Sequence, residues 1–150
     1  KESPYRNRTA EENLDLFRAG KLNCAEAVLL TMSRFLGEGG DFAPRIATAF
    51  GGGVCGRQGL CGALTGGLMA VGLRHGRRKP GDDKAPANDA GKALVKWAEE
   101  RFEALDCRAL TGVDFSDPVQ SARFREKGGA HETVCERLVS EVCLHLSENL

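Results

Sequence analysis

The 150-residue sequence lacks an excess of either charge: 21 Lys and Arg stand against 21 Asp and Glu, giving a formal net charge of zero and a pI near 7.0. So balanced a chain projects no broad basic field toward phosphate backbones and carries no acidic tail, which argues against nucleic acid as a partner. A long apolar run is also missing. The longest uncharged stretch, 58–73, is shorter than the ~20 residues a membrane helix needs and is interrupted by glycines, so no membrane span is expected. The chain opens at Lys1 without a methionine, and nothing at its start resembles a signal peptide. No segment alternates apolar and polar residues with the period of two that marks a strand. Finally, no two cysteines form a C-x-x-C pair. That removes covalent c-type haem attachment, the paired knuckles of a zinc ribbon and a thioredoxin-like motif.

What is abundant is glycine, with nineteen residues, and cysteine, with six. A chain of this length suggests one domain that buries roughly 70% of its unfolded surface, so it needs neither disulfide nor metal merely to fold. Segment 1–8 carries Pro4, several charges and no apolar rhythm, and reads as a tail before a helical domain over 9–150. Thr9 with Glu12, and Asn23 with Glu26, have capping-box spacing at the starts of two helices. Asp41 and Pro44 suit a third helix running to Phe50. Ten of the nineteen glycines fall in 51–76. Within that region Leu60, Leu64, Leu68 and Val71 keep helical spacing, while Gly62, Gly66 and Ala70 form a small-residue stripe that would let another backbone come close. A long amphipathic helix is expected over 87–105, followed by a connection around Cys107. Asp117 and Pro118 cap a helix toward Lys127, and a final helix runs over 131–146. The fold class is all-α: a single-domain bundle of about seven helices with a glycine-rich central helix.

The cysteines differ in their local settings. Cys24 follows the Asn23 cap, and Cys61 stands at the start of the glycine-rich helix. Free N–H groups at both places favour thiolate over thiol. Cys107 falls after a helix end, in a connection where exposure is plausible. Cys135 lies four residues after His131, a spacing that serves metal ligation, a thiol beside a base, or neither. Cys143, eight residues beyond Cys135, reads as core, and His75, His145 and Arg57 read as ordinary solvated side chains. The GGGVCGRQG loop fits neither a P-loop nor a dinucleotide fingerprint.

Taken together, NCAEAVLL, ATAFGGGVCGRQGLCGALTGGLMAVGL, DCRALTGVDF and HETVCERLV resemble the C_GCAxxG_C_C family of redox-active proteins over most of the chain. CGALTGG is the most specific element. The resemblance places the family's four recurring cysteines on Cys24, Cys61, Cys107 and Cys135. Cys55 and Cys143 fall outside that pattern, Cys55 remaining open as a local resolving thiol. It also implies a redox partner protein, transporter- or cytochrome-linked.

Three functions stay open at this point. The leading expectation is a thiol-based redox protein, an oxidoreductase in which Cys24, Cys61, Cys107 and Cys135 cycle between dithiol and disulfide or transfer electrons, with the lower-pKa thiol acting first. The second is a Fe–S cluster or soft metal ion held by the same four cysteines, with His131 as a further ligand. The third is a helical accessory subunit without sulfur chemistry. A cytoplasmic location suits available thiols, and an exported form stays open because the chain does not begin with methionine.

Overall fold

In a computed structural model, residues 8–150 are described, Arg8 by its backbone alone. The tail expected over 1–8 therefore lies, apart from Arg8, outside the described residues. The chain forms α1 (Arg8–Arg18), α2 (Cys24–Phe35), α3 (Ala43–Ala47), α4 (Gly62–His75), α5 (Ala85–Phe102), α6 (Cys107–Thr111), α7 (Pro118–Phe124) and α8 (Glu136–Asn149). A 3₁₀ turn, Thr48–Phe50, continues α3, and a π-helical turn, His131–Cys135, leads into α8. Among the described residues there is no strand, only an isolated antiparallel bridge between Leu60 and Asp106. The all-α class is as the sequence indicates. The helix beyond the expected seven is α6, in the segment read as a plain connection.

Local signals explain most of the boundaries. The Asn23 side chain accepts from the Glu26 N–H at 2.9 Å while the Glu26 carboxylate accepts from the Asn23 N–H at 2.8 Å, closing the capping box of α2. Asp117 accepts from the N–H of Val119 and Gln120, with Pro118 at the first helical position of α7. Thr9, by contrast, lies inside the first described turn of α1 instead of capping it. The third helix splits into α3 and the 3₁₀ turn, with Phe42 at the cap position and no side-chain capping bond. The long helix runs over Ala85–Phe102, stopped at Glu103, which turns left-handed at φ 63°.

α2 is the central helix, packed on α1, α3, α4 and α8, and α4 packs in turn on α5 and α8. The small-residue stripe makes the α2–α4 contact. A Cβ added at Gly66 would stand 2.6 Å from the Ala25 carbonyl oxygen, closer than any side chain tolerates against backbone. Phe17, Leu29, Met32, Leu64, Leu94 and Val142 are buried around this seam, each contributing roughly 1.5–3 kcal/mol by leaving water. The stripe thus sets the depth of the core, and it also brings the first turn of α2 against the start of α4, where two of the cysteines lie.

Candidate functional site

Cys24 is the first residue of α2, Cys61 the N-cap of α4, and Cys107 the first residue of α6 behind its cap Asp106. The last placement corrects the expectation for Cys107. It stands at a helix start, not past a helix end, and it is buried instead of exposed. The Leu60–Asp106 bridge explains why: the Cys61 N–H donates to the Leu105 carbonyl at 2.8 Å, and the Cys107 N–H to the Gly59 carbonyl at 2.7 Å. Backbone bonds therefore pin two cysteines 46 positions apart in sequence beside one another. Cys135 closes the π-turn that His131 opens.

The loop before α4 is unusual. Gly52, Gly53, Val54, Cys55 and Gly56 all have positive φ, a left-handed turn that costs a non-glycine residue roughly 1–2 kcal/mol per position. Its backbone bonds offset this, among them Cys55 N–H to Ala49 O at 2.7 Å and Gly59 N–H to Gly53 O at 2.8 Å. The turn presses Gly53 against Cys107, where an added Cβ would come within 2.8 Å of the Cys107 Cβ. Gln58, also at positive φ, is buried. Its carboxamide donates to the Val113 carbonyl at 2.5 Å and accepts from the Phe115 N–H at 2.9 Å.

These elements enclose a cavity of about 260 Å³. Cys24, Cys61, Cys107 and Cys135 all line it, together with His131 and Arg125, between walls that include Phe17, Phe115, Phe124 and Leu138. Cys61, Cys107 and Cys135 are buried, and Cys24 is half-buried as a residue. The His131 ring stacks on Phe17 at 4.3 Å and meets Phe124 edge-on at 5.5 Å.

The four sulfurs are not electrostatically equivalent. Cys24 and Cys135 share a thiol hydrogen bond, which raises the Cys24 pKa well above its ordinary value and lowers that of Cys135. Desolvation of the Cys24 sulfur pushes its pKa in the same direction, whereas at Cys135 desolvation opposes the fall and the Arg125 charge assists it. Burial pushes Cys61 up to about 12, although the N–H groups of Ala63 and Leu64 face its sulfur and pull the other way without closing a capping hydrogen bond. Cys107 is pushed up to about 11, again mainly by burial, with Gln58 pulling down. A charge on Cys135 raises each of the other three. Of the four, only Cys135 is pulled toward the thiolate form. This reverses the expectation that the helix starts would make Cys24 and Cys61 the acidic sulfurs: the interaction with Cys135 followed by desolvation at Cys24, and desolvation at Cys61, outweigh the helix dipole.

A family model described as "Putative redox-active protein (C_GCAxxG_C_C)" matches residues 22–149. The chain belongs to this family. No curated protein and no solved structure matches it.

All four cysteines carried over from the C_GCAxxG_C_C pattern reach the one cavity, and the two outside the pattern do not. Cys143 is fully buried, as a core residue would be, and Cys55 is exposed on the left-handed turn. Arg57 is exposed as well, and His145 stacks on Trp97 at 4.1 Å instead of standing in solvent. Among the described residues, no three His, Cys, Asp or Glu side chains stand in an arrangement that would hold a metal ion. The family cysteines and His131 share the one cavity. Sequence reasoning missed Arg125 and Gln58. Arg125 follows the end of α7, where a cation reads as an ordinary helix-dipole partner. Gln58 gives no signal, since its role depends on Val113 and Phe115 far along the chain.

Among the described residues, no helix is long and apolar enough to cross a membrane.

Proposed function

We propose that this C_GCAxxG_C_C protein is a thiol–disulfide oxidoreductase in which Cys135 is the attacking thiolate and Cys24 the resolving thiol. The observation that carries this reading is that all four family cysteines line one cavity, within which Cys24 and Cys135 shift one another's pKa in opposite directions, up for Cys24 and down for Cys135. The Cys135 thiolate attacks one sulfur of a disulfide R–S–S–R, forming a mixed disulfide and expelling RS⁻. Cys24 gives its proton to that departing thiolate and attacks the Cys135 sulfur, releasing the second RS⁻. Two electrons pass to the substrate, whose S–S bond is replaced by one between Cys24 and Cys135. Cys61 and Cys107, thiols in the same cavity, form a second dithiol that can take over the disulfide by exchange and free Cys135 for another cycle.

The test is peptide mapping after stoichiometric oxidation of the reduced protein, with acid quench and alkylation. The first linkage formed is Cys24–Cys135; Cys135→Ser abolishes it, and Cys24→Ser stalls the protein as a mixed disulfide on Cys135. A first linkage that omits both residues overturns the assignment.

A further inference from the structure

Resting on the exchange reading just given, we propose that the disulfide reduced at Cys135 belongs to a small, anionic molecule that enters the cavity past Arg125, and not to the surface of another protein. The first reason is access. Cys135 and Cys61 are each 4% exposed and Cys107 is 7% exposed. A disulfide held on a folded protein cannot bring its sulfur into line with an attacking atom so enclosed. The cavity volume of about 260 Å³ lies just below the ~300–1,000 Å³ of drug-sized sites. It suits a compact aliphatic disulfide.

The second reason is charge. No carboxylate lines the cavity among the described residues, while Arg125 does. Arg125 is exposed, rests over the Phe124 ring at 5.9 Å, and has no ion pair among the described residues. The carboxylates on its outer side are already engaged: Glu136 accepts from Arg18 at 2.6 Å, and Glu132 from the Gly128 N–H at 3.2 Å. The start of α4, at Cys61 and Gly62, also lines the cavity without a side-chain capping bond and adds its positive end to the same wall. A guanidinium with no ion pair among the described residues, on an apolar wall to which they bring no carboxylate, is arranged to receive a carboxylate or similar anion. A substrate disulfide with a carboxylate a few bonds from sulfur would place its anion on Arg125 and its S–S bond toward Cys135.

The experiment uses the reduced full chain in single turnover with three aliphatic disulfides differing in charge: dithiodipropionate (anionic), bis(hydroxyethyl) disulfide (neutral) and cystamine (cationic). Insulin serves as a protein disulfide. The rate of Cys24–Cys135 formation is divided by the rate of the same disulfide with mercaptoethanol, which cancels intrinsic reactivity. The expected order is anionic, neutral, cationic, spanning about tenfold or more at about 10 mM salt and shrinking at about 200 mM, with insulin slowest. Arg125→Gln collapses the anionic-to-neutral ratio toward one, and Arg125→Lys restores most of it. Because Arg125 also acts on Cys135 itself, the ratio and not the absolute rate is decisive. An absent or reversed order, an order that survives in Arg125→Gln, or insulin as the fastest substrate overturns the proposal and leaves the exchange reading intact. Failure of every disulfide to produce the Cys24–Cys135 linkage refutes both.

Discussion

Replacing Gly66 by alanine isolates the contact on which the cavity depends. The new Cβ would stand 2.6 Å from the Ala25 carbonyl oxygen, 3.1 Å from its Cα and 3.2 Å from its carbonyl carbon. All three are backbone atoms of the first turn of α2, so no rotamer change relieves the overlap and the helices must separate. Overpacking of this kind costs about 1–3 kcal/mol, and a backbone obstacle places it near the upper end. Alanine returns about 1 kcal/mol of helix propensity. The net loss is then about 2 kcal/mol, a fall in Tm of roughly 4–8 °C for a chain of this size. Gly72 on the same helix is the control. It is exposed, and no atom lies within 4 Å of an added Cβ. Gly72→Ala should stabilise by about 1 kcal/mol and raise Tm by roughly 2–4 °C. Thermal melts of the two reduced variants beside the parent protein give the comparison. If both substitutions move Tm in the same direction, the close approach of α2 and α4 at Gly66 is wrong. Because Ala25 adjoins Cys24, Gly66→Ala should also slow closure of the Cys24–Cys135 linkage, while Gly72→Ala should not.

Three further predictions bear on the site. Cys24→Ala removes the hydrogen bond that holds down the Cys135 pKa, so the alkylation of Cys135 followed against pH shifts upward; an unchanged profile contradicts the pairing. The His131 pKa is lowered by burial and by the Arg125 charge, so the unfolded chain takes up the proton first as pH falls. Its contribution is full above the ordinary value of about 6.5 and is lost as pH falls through that value toward the folded one. Urea unfolding at pH 7 and pH 5 should show a smaller stability difference in His131→Gln than in the parent, and equal differences refute the assignment. Gly53→Ala meets the left-handed backbone cost of about 1–2 kcal/mol together with an overpacking cost of about 1–3 kcal/mol against Gly59 and Cys107. Gly56→Ala, with the same φ but open space around it, meets only the first. Urea midpoints should separate the two, and equal losses would refute the contact.

The features legible in the sequence are those written locally. Asn23 and Glu26 close a box within four residues, Asp117 and Pro118 start a helix with their own atoms, and the stripe of Gly62, Gly66 and Ala70 announces a close partner by its spacing alone. The all-helical class followed from such signals. The position of Cys107 was not legible, because the bonds that define it run to Gly59 and Leu105, and the 59-to-107 pairing has no periodic signature. The left-handed turn was hidden for a different reason. Val54 and Cys55 adopt a conformation their own side chains disfavour, so propensity points away from it and only the surrounding bonds hold it. The acidity order of the cysteines failed for a third reason: a helix start can be recognised from a cap, whereas the interaction of Cys24 with Cys135 and the desolvation of both Cys24 and Cys61 depend on what is packed around each sulfur.

The distance along the chain between Cys24 and Cys135 has a consequence during synthesis. The two hydrogen-bonded sulfurs are 111 residues apart (24 to 135). At about 5–20 residues per second on the ribosome, Cys24 precedes its partner by roughly 6–22 s. In that interval Cys55, Cys61 and Cys107 emerge, each a competing thiol, and Cys55 is the one the finished fold leaves exposed. For the exchange proposed here, the nascent chain must stay reduced until its last helix docks, so the order of translation places a demand on the surroundings in which this protein is made.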